Sequence, residues 1–125
     1  MENNKHPIIA NHYFSYASSE CQDLFEHGYY YGCITLCQSM AEAYARFLYE
    51  RATGKTSLSN FFTHIRNMKP VSVQPDVSKL LKDLYGTKQE RNSFHHLKKD
   101  VPTDYQQLKK IASGKIYLLN EVESQ

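Results

Sequence analysis

The stretch YYYGCITLCQSMAEAYARFLYERA (Tyr29–Ala52) decides the fold. Tyr30, Cys33, Ile34, Cys37, Met40, Ala41, Tyr44, Phe47 and Leu48 recur at steps of three and four, the period of an α-helix with a broad apolar stripe. At 1.5 Å per residue the helix would span about 36 Å, and its apolar face needs partners along that whole length. Gly28 suits the turn that ends a preceding helix, and Gly54 ends this one.

The same period continues on both sides. Upstream, Phe14, Ala17, Cys21, Leu24 and Phe25 predict a helix from about Asn11 to His27. Downstream, Ser57 is a candidate N-cap for a shorter helix, Leu58–Met68. Lys69–Pro75 (KPVSVQP) has two prolines and no period, so it reads as a loop. A fourth helix is expected from Asp76 to about Leu97. Its stripe of Val77, Leu80, Leu81, Leu84 and Tyr85 turns polar at Lys88, Arg91, Asn92, His95 and His96. Pro102 disfavours helical geometry at Val101, which places a break near Lys99–Val101. Thr103 and Gln106 have the spacing of a capping box, with Asp104 in the positive first turn of a last helix. Tyr105, Leu108, Ile111, Ala112, Tyr117, Leu118, Leu119 and Val122 give that helix its apolar side. The expectation is an all-α, up-and-down bundle of about five helices. Residues 1–125 form one domain, of which 1–10 are a flexible lead.

Composition agrees. A chain of 125 residues supports one core, and 41% hydrophobic with 22% charged residues is the balance of a folded protein. Five glycines and four prolines are too little turn punctuation for a β-sandwich. No apolar run approaches the ~18 residues of a membrane span, and MENNKHPIIANHY lacks the apolar centre of a signal peptide. A cytoplasmic protein is expected. Cys21, Cys33 and Cys37 include no CxxC pair and offer too few ligands for a metal. They read as small buried hydrophobes, and a reducing compartment argues against a disulfide.

Charge is uneven. Residues 1–54 carry three Lys/Arg against six Asp/Glu, and residues 55–125 carry twelve against seven. A basic half can steer toward phosphates, although a Lys-rich solvated surface gives the same count. The familiar phosphate loops, the nucleophile elbow and H-E-x-x-H are absent, and carboxylates do not cluster as a two-metal centre requires.

What stands out is Arg91-Asn92-Ser93-Phe94-His95-His96, flanked by Lys88, Lys98 and Lys99. Arg offers a planar fork of donors to a phosphate, and His moves a proton near neutral pH. Cleaving RNA without a metal needs both: a base for the 2′-OH proton and a cation for charge on the phosphorane. On a straight helix Arg91 and His96 stand ~140° apart, whereas Arg91–His95 and Asn92–His96 are the i, i+4 pairs. A site shared between two copies, or a distorted helix end, would relieve this. The ordinary alternative is a polar helix end with capping histidines. Arg66-Asn67 is a control, since no His follows it at that spacing.

With that motif the sequence resembles the HEPN superfamily, helical bundles marked by R-x(4–6)-H, often R-N-x-x-x-H. Arg91, Asn92 and His96 match it. Phe25–Gly54 resembles the family's first long core helix, with Gly-Tyr-Tyr ahead of an Ala-rich amphipathic run. The resemblance implies a metal-independent endoribonuclease with no cofactor, acting as a homodimer whose motifs face each other, within toxin–antitoxin or antiviral defence systems. It implies catalytic roles for Arg91 and His96 with Asn92 in support, and a defence-system or antitoxin protein as partner. Lys98 stands where members paired with a nucleotidyltransferase antitoxin often carry Tyr, so the likeness does not extend to that pairing. Lys88, His95, Lys98 and Lys99 are the candidate RNA contacts.

Other residues have plainer readings. Tyr29, Tyr30 and Tyr31 could stack on bases, but such runs more often pack between helices. His6, His12, His27 and His64 read as surface or cap residues, and Lys109 and Lys110 as a solvated face. The rival class is a catalytically inactive helical module for dimerisation, nucleotide or partner-protein binding. Arg91 and His96 open to a basic cleft favour the nuclease, whereas the same residues sealed by packing favour the module.

Overall fold

The apolar stripe at Tyr29–Ala52 folds as one 24-residue helix, Tyr30–Thr53, and the rest of the bundle is built around it. The computed structural model describes residues 12–54 and 75–124. They form α1 (His12–Glu26), α2 (Tyr30–Thr53), α3 (Pro75–Tyr85), α4 (Lys88–His95) and α5 (Tyr105–Glu123), an all-α bundle. The expected lead at 1–10, the helix at Leu58–Met68 and the loop up to Gln74 lie outside the described residues. No helix among the described residues is long and apolar enough to cross a membrane.

Helix α2 touches all four of the others. Cys33, Ile34, Cys37, Ala41, Tyr44 and Ala45 on its stripe are fully buried, and Leu81, Leu84, Ala112 and Leu119 meet them from α3 and α5. Each large apolar side chain buried in this way contributes roughly 1.5–3 kcal/mol. Side-chain pairs fix the directions. Phe14 meets Tyr44 at 4.9 Å and Phe25 meets Tyr30 at 5.5 Å, so α1 runs antiparallel to α2. Tyr30 meets Tyr105 at 4.9 Å, and the Tyr44 hydroxyl donates to Glu123 Oε2 at 2.6 Å, so α5 runs parallel to α2. Burial and the Glu123 carboxylate push the Tyr44 hydroxyl pKa up, which keeps it a donor in the core.

Three expectations need correction. The continuous helix expected over Asp76–Leu97 is two helices, divided at Gly86-Thr87. Gly86 has φ +82°, and Thr87 starts α4 by accepting the Glu90 N–H on its hydroxyl at 3.0 Å. At the start of α5 the cap is Asp104, which accepts from Gln106 N at 3.0 Å, and not a Thr103–Gln106 box. Asp104 holds the extended backbone of an N-cap, and its carboxylate oxygen reaches the N–H two residues on. On α5, Tyr105 and Tyr117 are exposed, and Ile116 and Lys115 take the inward positions.

The divide between α3 and α4 is held by a buried charge. Lys115, 6% exposed, reaches Glu90 Oε1 at 3.0 Å and the Asp83 carbonyl at 3.1 Å. Gln38 Nε2 donates to the same Glu90 oxygen at 3.0 Å. That oxygen occupies the space a Cβ on Gly86 would need. At Gly54, which ends α2 with φ +71°, a Cβ would meet nothing within 4 Å. Gly54→Ala should therefore cost only the left-handed backbone penalty, ~1–2 kcal/mol. Gly86→Ala should cost at least ~1 kcal/mol more, because it displaces a carboxylate held by two donors. Urea midpoints of the two variants measure this, and equal losses would show that the Glu90 carboxylate gives way freely.

Candidate functional site

Helix α4 is short, and what it presents is set by its two ends. Its C-terminus is a Schellman turn: Lys98 N–H donates to the Ser93 carbonyl at 2.9 Å and Leu97 N–H to the Phe94 carbonyl at 3.4 Å. His96 is the cap residue, and its N–H donates to the Asn92 carbonyl at 3.0 Å. Leu97 occupies the left-handed position, φ +53°, the only non-glycine among the described residues with positive φ. The following loop is tied back as Ser93 Oγ donates to Asp100 Oδ2 at 2.9 Å and Val101 N–H to the Lys98 carbonyl at 3.1 Å.

The inward face of α4 carries Ser93 and Phe94, both buried. The Phe94 ring lies 5.4 Å from the Tyr31 ring, and the Tyr31 hydroxyl donates to the Phe94 carbonyl. One turn earlier, Arg91 Nη2 approaches Glu42 Oε1 on α2 at 3.7 Å, and its guanidinium lies 6.0 Å from the Tyr85 ring centroid. Both charged side chains are about a quarter exposed, and the separation is long for a charge-assisted hydrogen bond. Arg91 Nε and His95 Nε2 are buried and have no hydrogen-bond partner.

The structure therefore joins Arg91 with Glu42, Tyr85 and His95. The i, i+4 pairing of Arg91 and His95 is the one helical geometry anticipates. Burial, and then the Arg91 charge, hold the His95 pKa below its ordinary value, while Glu42 opposes the shift. His95 also lines an open cavity of about 520 Å³ with Tyr31, Thr35, Leu36, Ser39, Phe94 and Leu97. His96 is not brought to Arg91 within this chain. It is exposed at the helix end, as are Lys98 and Lys99 after it, and Asn92 is half-buried between the two. Lys88 is the first residue of α4, and its side chain lies outside the described residues.

Of the three tyrosines at the start of α2, Tyr29 is exposed, Tyr30 is buried and Tyr31 is half-buried. His27 closes α1, with Nδ1 2.8 Å from the Asp23 carbonyl. Cys21, Cys33 and Cys37 are free and fully buried, as small hydrophobes. Among the described residues no three His, Cys, Asp or Glu side chains gather as a metal site. Sequence reasoning read Tyr31 as packing between helices and Tyr85 as part of a buried stripe without joining either to the site, and it missed Glu42. Glu42 did leave a signal, as a charge within an otherwise apolar run of α2.

The chain matches no family model, no curated protein and no solved structure.

His95 should titrate below the usual value near 6.5, and Arg91→Ala should raise it, because the cationic neighbour is removed. Ring-proton shifts followed by NMR from pH 4 to 8 measure both. The sign for stability follows. Above pH 6.5 both states hold His95 neutral. As pH falls through 6.5 the unfolded chain takes up the proton first, so this group removes stability on acidification. A His95 pKa unmoved by Arg91→Ala would show that the guanidinium does not act on the ring.

Proposed function

We propose that this protein is a metal-independent endoribonuclease that cleaves RNA by attack of the 2′-OH on the adjacent phosphate. The observation that carries the reading is the end of α4. It presents an open histidine, His96, and behind it an arginine whose carboxylate contact is long and whose Nε has no partner. His96 takes the 2′-OH proton; as the 2′-oxygen bonds to phosphorus the P–O5′ bond breaks, and the leaving 5′-oxygen takes up a proton from water. Arg91 exchanges its loose hold on Glu42 for the scissile phosphate and steadies the charge that develops there. Asn92 supports the pair, and Lys88, His95, Lys98 and Lys99 contribute to the RNA surface. The R-N-x-x-x-H resemblance supports the same roles.

Arg91 and His96 diverge on one helix, so the working unit in this reading is a homodimer. One copy's His96 works beside the other's Arg91, with α4 near the two-fold axis. The setting is cytoplasmic, within a toxin or antiviral defence system, with a partner protein that restrains or triggers cleavage.

A second reading has its own support. Arg91 lies against Glu42 and Tyr85, and His95 is tucked beside it, the packing expected of a non-enzymatic helical module that dimerises or holds a partner.

Incubation of pure protein with total RNA in EDTA decides between the two readings. Cleavage to 2′,3′-cyclic phosphate ends is expected. His96→Ala and Arg91→Ala should each lower the rate by ~10²–10⁴, the typical worth of a positioned proton-transfer group. His95→Gln should keep most activity. Cleavage that requires Mg²⁺, or that survives His96→Ala and not His95→Gln, refutes the assignment. Intact RNA under all conditions favours the module. Light scattering at micromolar concentration should report a dimer, and a monomer counts against the shared site.

A further inference from the structure

We propose that the open cavity between Tyr31 and Pro102 receives the base of a single-stranded RNA, whose neighbouring phosphates lie on Lys98 and Lys99. The inference rests on the ribonuclease reading and deepens it by placing the substrate strand. The cavity measures about 410 Å³. That falls within the roughly 300–1,000 Å³ of small-ligand sites. Tyr31, Leu97, Val101, Pro102 and Leu108 give it apolar walls, while Lys98 and Lys99 stand exposed on its rim. Among the described residues that line it there is no carboxylate. Asp100, the next residue along, is turned to the Ser93 hydroxyl.

Its walls are fixed before any ligand arrives. Tyr31 is held at both ends, by its hydroxyl on the Phe94 carbonyl and its ring on the Phe94 ring. The opposite wall is a hydrogen-bonded turn closed by a proline, which has a single φ available. Little ordering is left to oppose binding. A flat aromatic face accepts any base, so the cavity selects for unpaired nucleotides and not for sequence.

Leu97 divides this cavity from the one beside His95, since it and Tyr31 line both. It is 72% exposed and holds a left-handed backbone that glycine would adopt without strain. What leucine adds there is apolar surface at the ridge. A strand crossing the ridge sets one base on each side, and the phosphate joining them passes over the turn that carries His96.

The test is fluorescence anisotropy of a labelled 2′-O-methyl octanucleotide with the full chain. That probe lacks the attacking hydroxyl, so binding is read apart from cleavage. Lys98→Ala with Lys99→Ala should weaken binding about tenfold at low salt. It should also flatten the salt dependence by ~1.4 in log–log slope, 0.7 for each lost phosphate contact. Leu97→Gly relieves the backbone and so keeps the fold. It should weaken binding about tenfold with the salt slope unchanged. Wild-type affinity in Leu97→Gly, or displacement of the octamer by inorganic polyphosphate of equal charge, overturns the proposal in favour of a charge-only surface. Displacement by micromolar AMP overturns it in favour of a free-nucleotide site. Loss of a dimer in Leu97→Gly with octamer binding intact overturns it in favour of an interface between copies. Cleavage of RNA with octamer binding insensitive to all these changes removes the cavity and leaves the nuclease reading. The expected binding pattern without any cleavage does the reverse.

Discussion

The Glu90 carboxylate is where the bundle is tied together. One oxygen accepts from Lys115 on α5 and from Gln38 on α2, and it lies against the glycine that separates α3 from α4. Four segments therefore meet at one atom. Only Lys115 of this pair is buried, while Glu90 is about a third exposed, so removing Glu90 strands a buried ammonium whereas removing Lys115 leaves a carboxylate that water can still reach. The effect of the pair is on geometry. An eight-residue helix such as α4 is far too short to hold itself in water. Glu90 fixes the angle at which α4 leaves Gly86, and with it the direction of every side chain from Arg91 to His96.

The core was legible because it rests on period alone. The stripe of α2 needs only steps of three and four; its members from Tyr30 to Tyr44 are buried where the pattern puts them, and Phe47 and Leu48 are half-buried. The division of α3 from α4 was missed because the stripe up to Tyr85 continues at helical steps through Lys88, Arg91, Asn92, His95 and His96. A signal did exist. Thr87-x-x-Glu90 has capping-box spacing directly after a glycine, and Thr87 does cap α4. The same rule, applied at Thr103-x-x-Gln106, selected a hydroxyl where the carboxylate of Asp104 serves instead. Local spacing proposes caps, and only the packing of the flanking helices decides among them. Lys115 shows the same limit. A lysine inside an amphipathic pattern reads as solvated unless the distant Glu90 is known.

The candidate site divides along similar lines. That Arg91 shares a face with His95 and not with His96 follows from helical arithmetic, and the structure keeps it. That Glu42 waits opposite Arg91 does not follow, since 49 residues separate them and no local rule joins a charge on one helix to a charge on another. Sequence reading named candidates by residue type and missed the neighbours that only topology supplies.

The three cysteines at the heart of the bundle also act as a gauge of its integrity. Hydrogen bonding to Cys37 and burial push the Cys33 thiol pKa up, and hydrogen bonding to Cys21 together with burial does the same for Cys37. Thiolates are the reactive form, so alkylating reagents and oxidants find almost nothing to attack while α1 and α2 stay packed. Labelling then waits for the helices to part, and its rate reports how often they do. The molecule thus carries its own clock for opening, set where α1 packs against the first turns of α2.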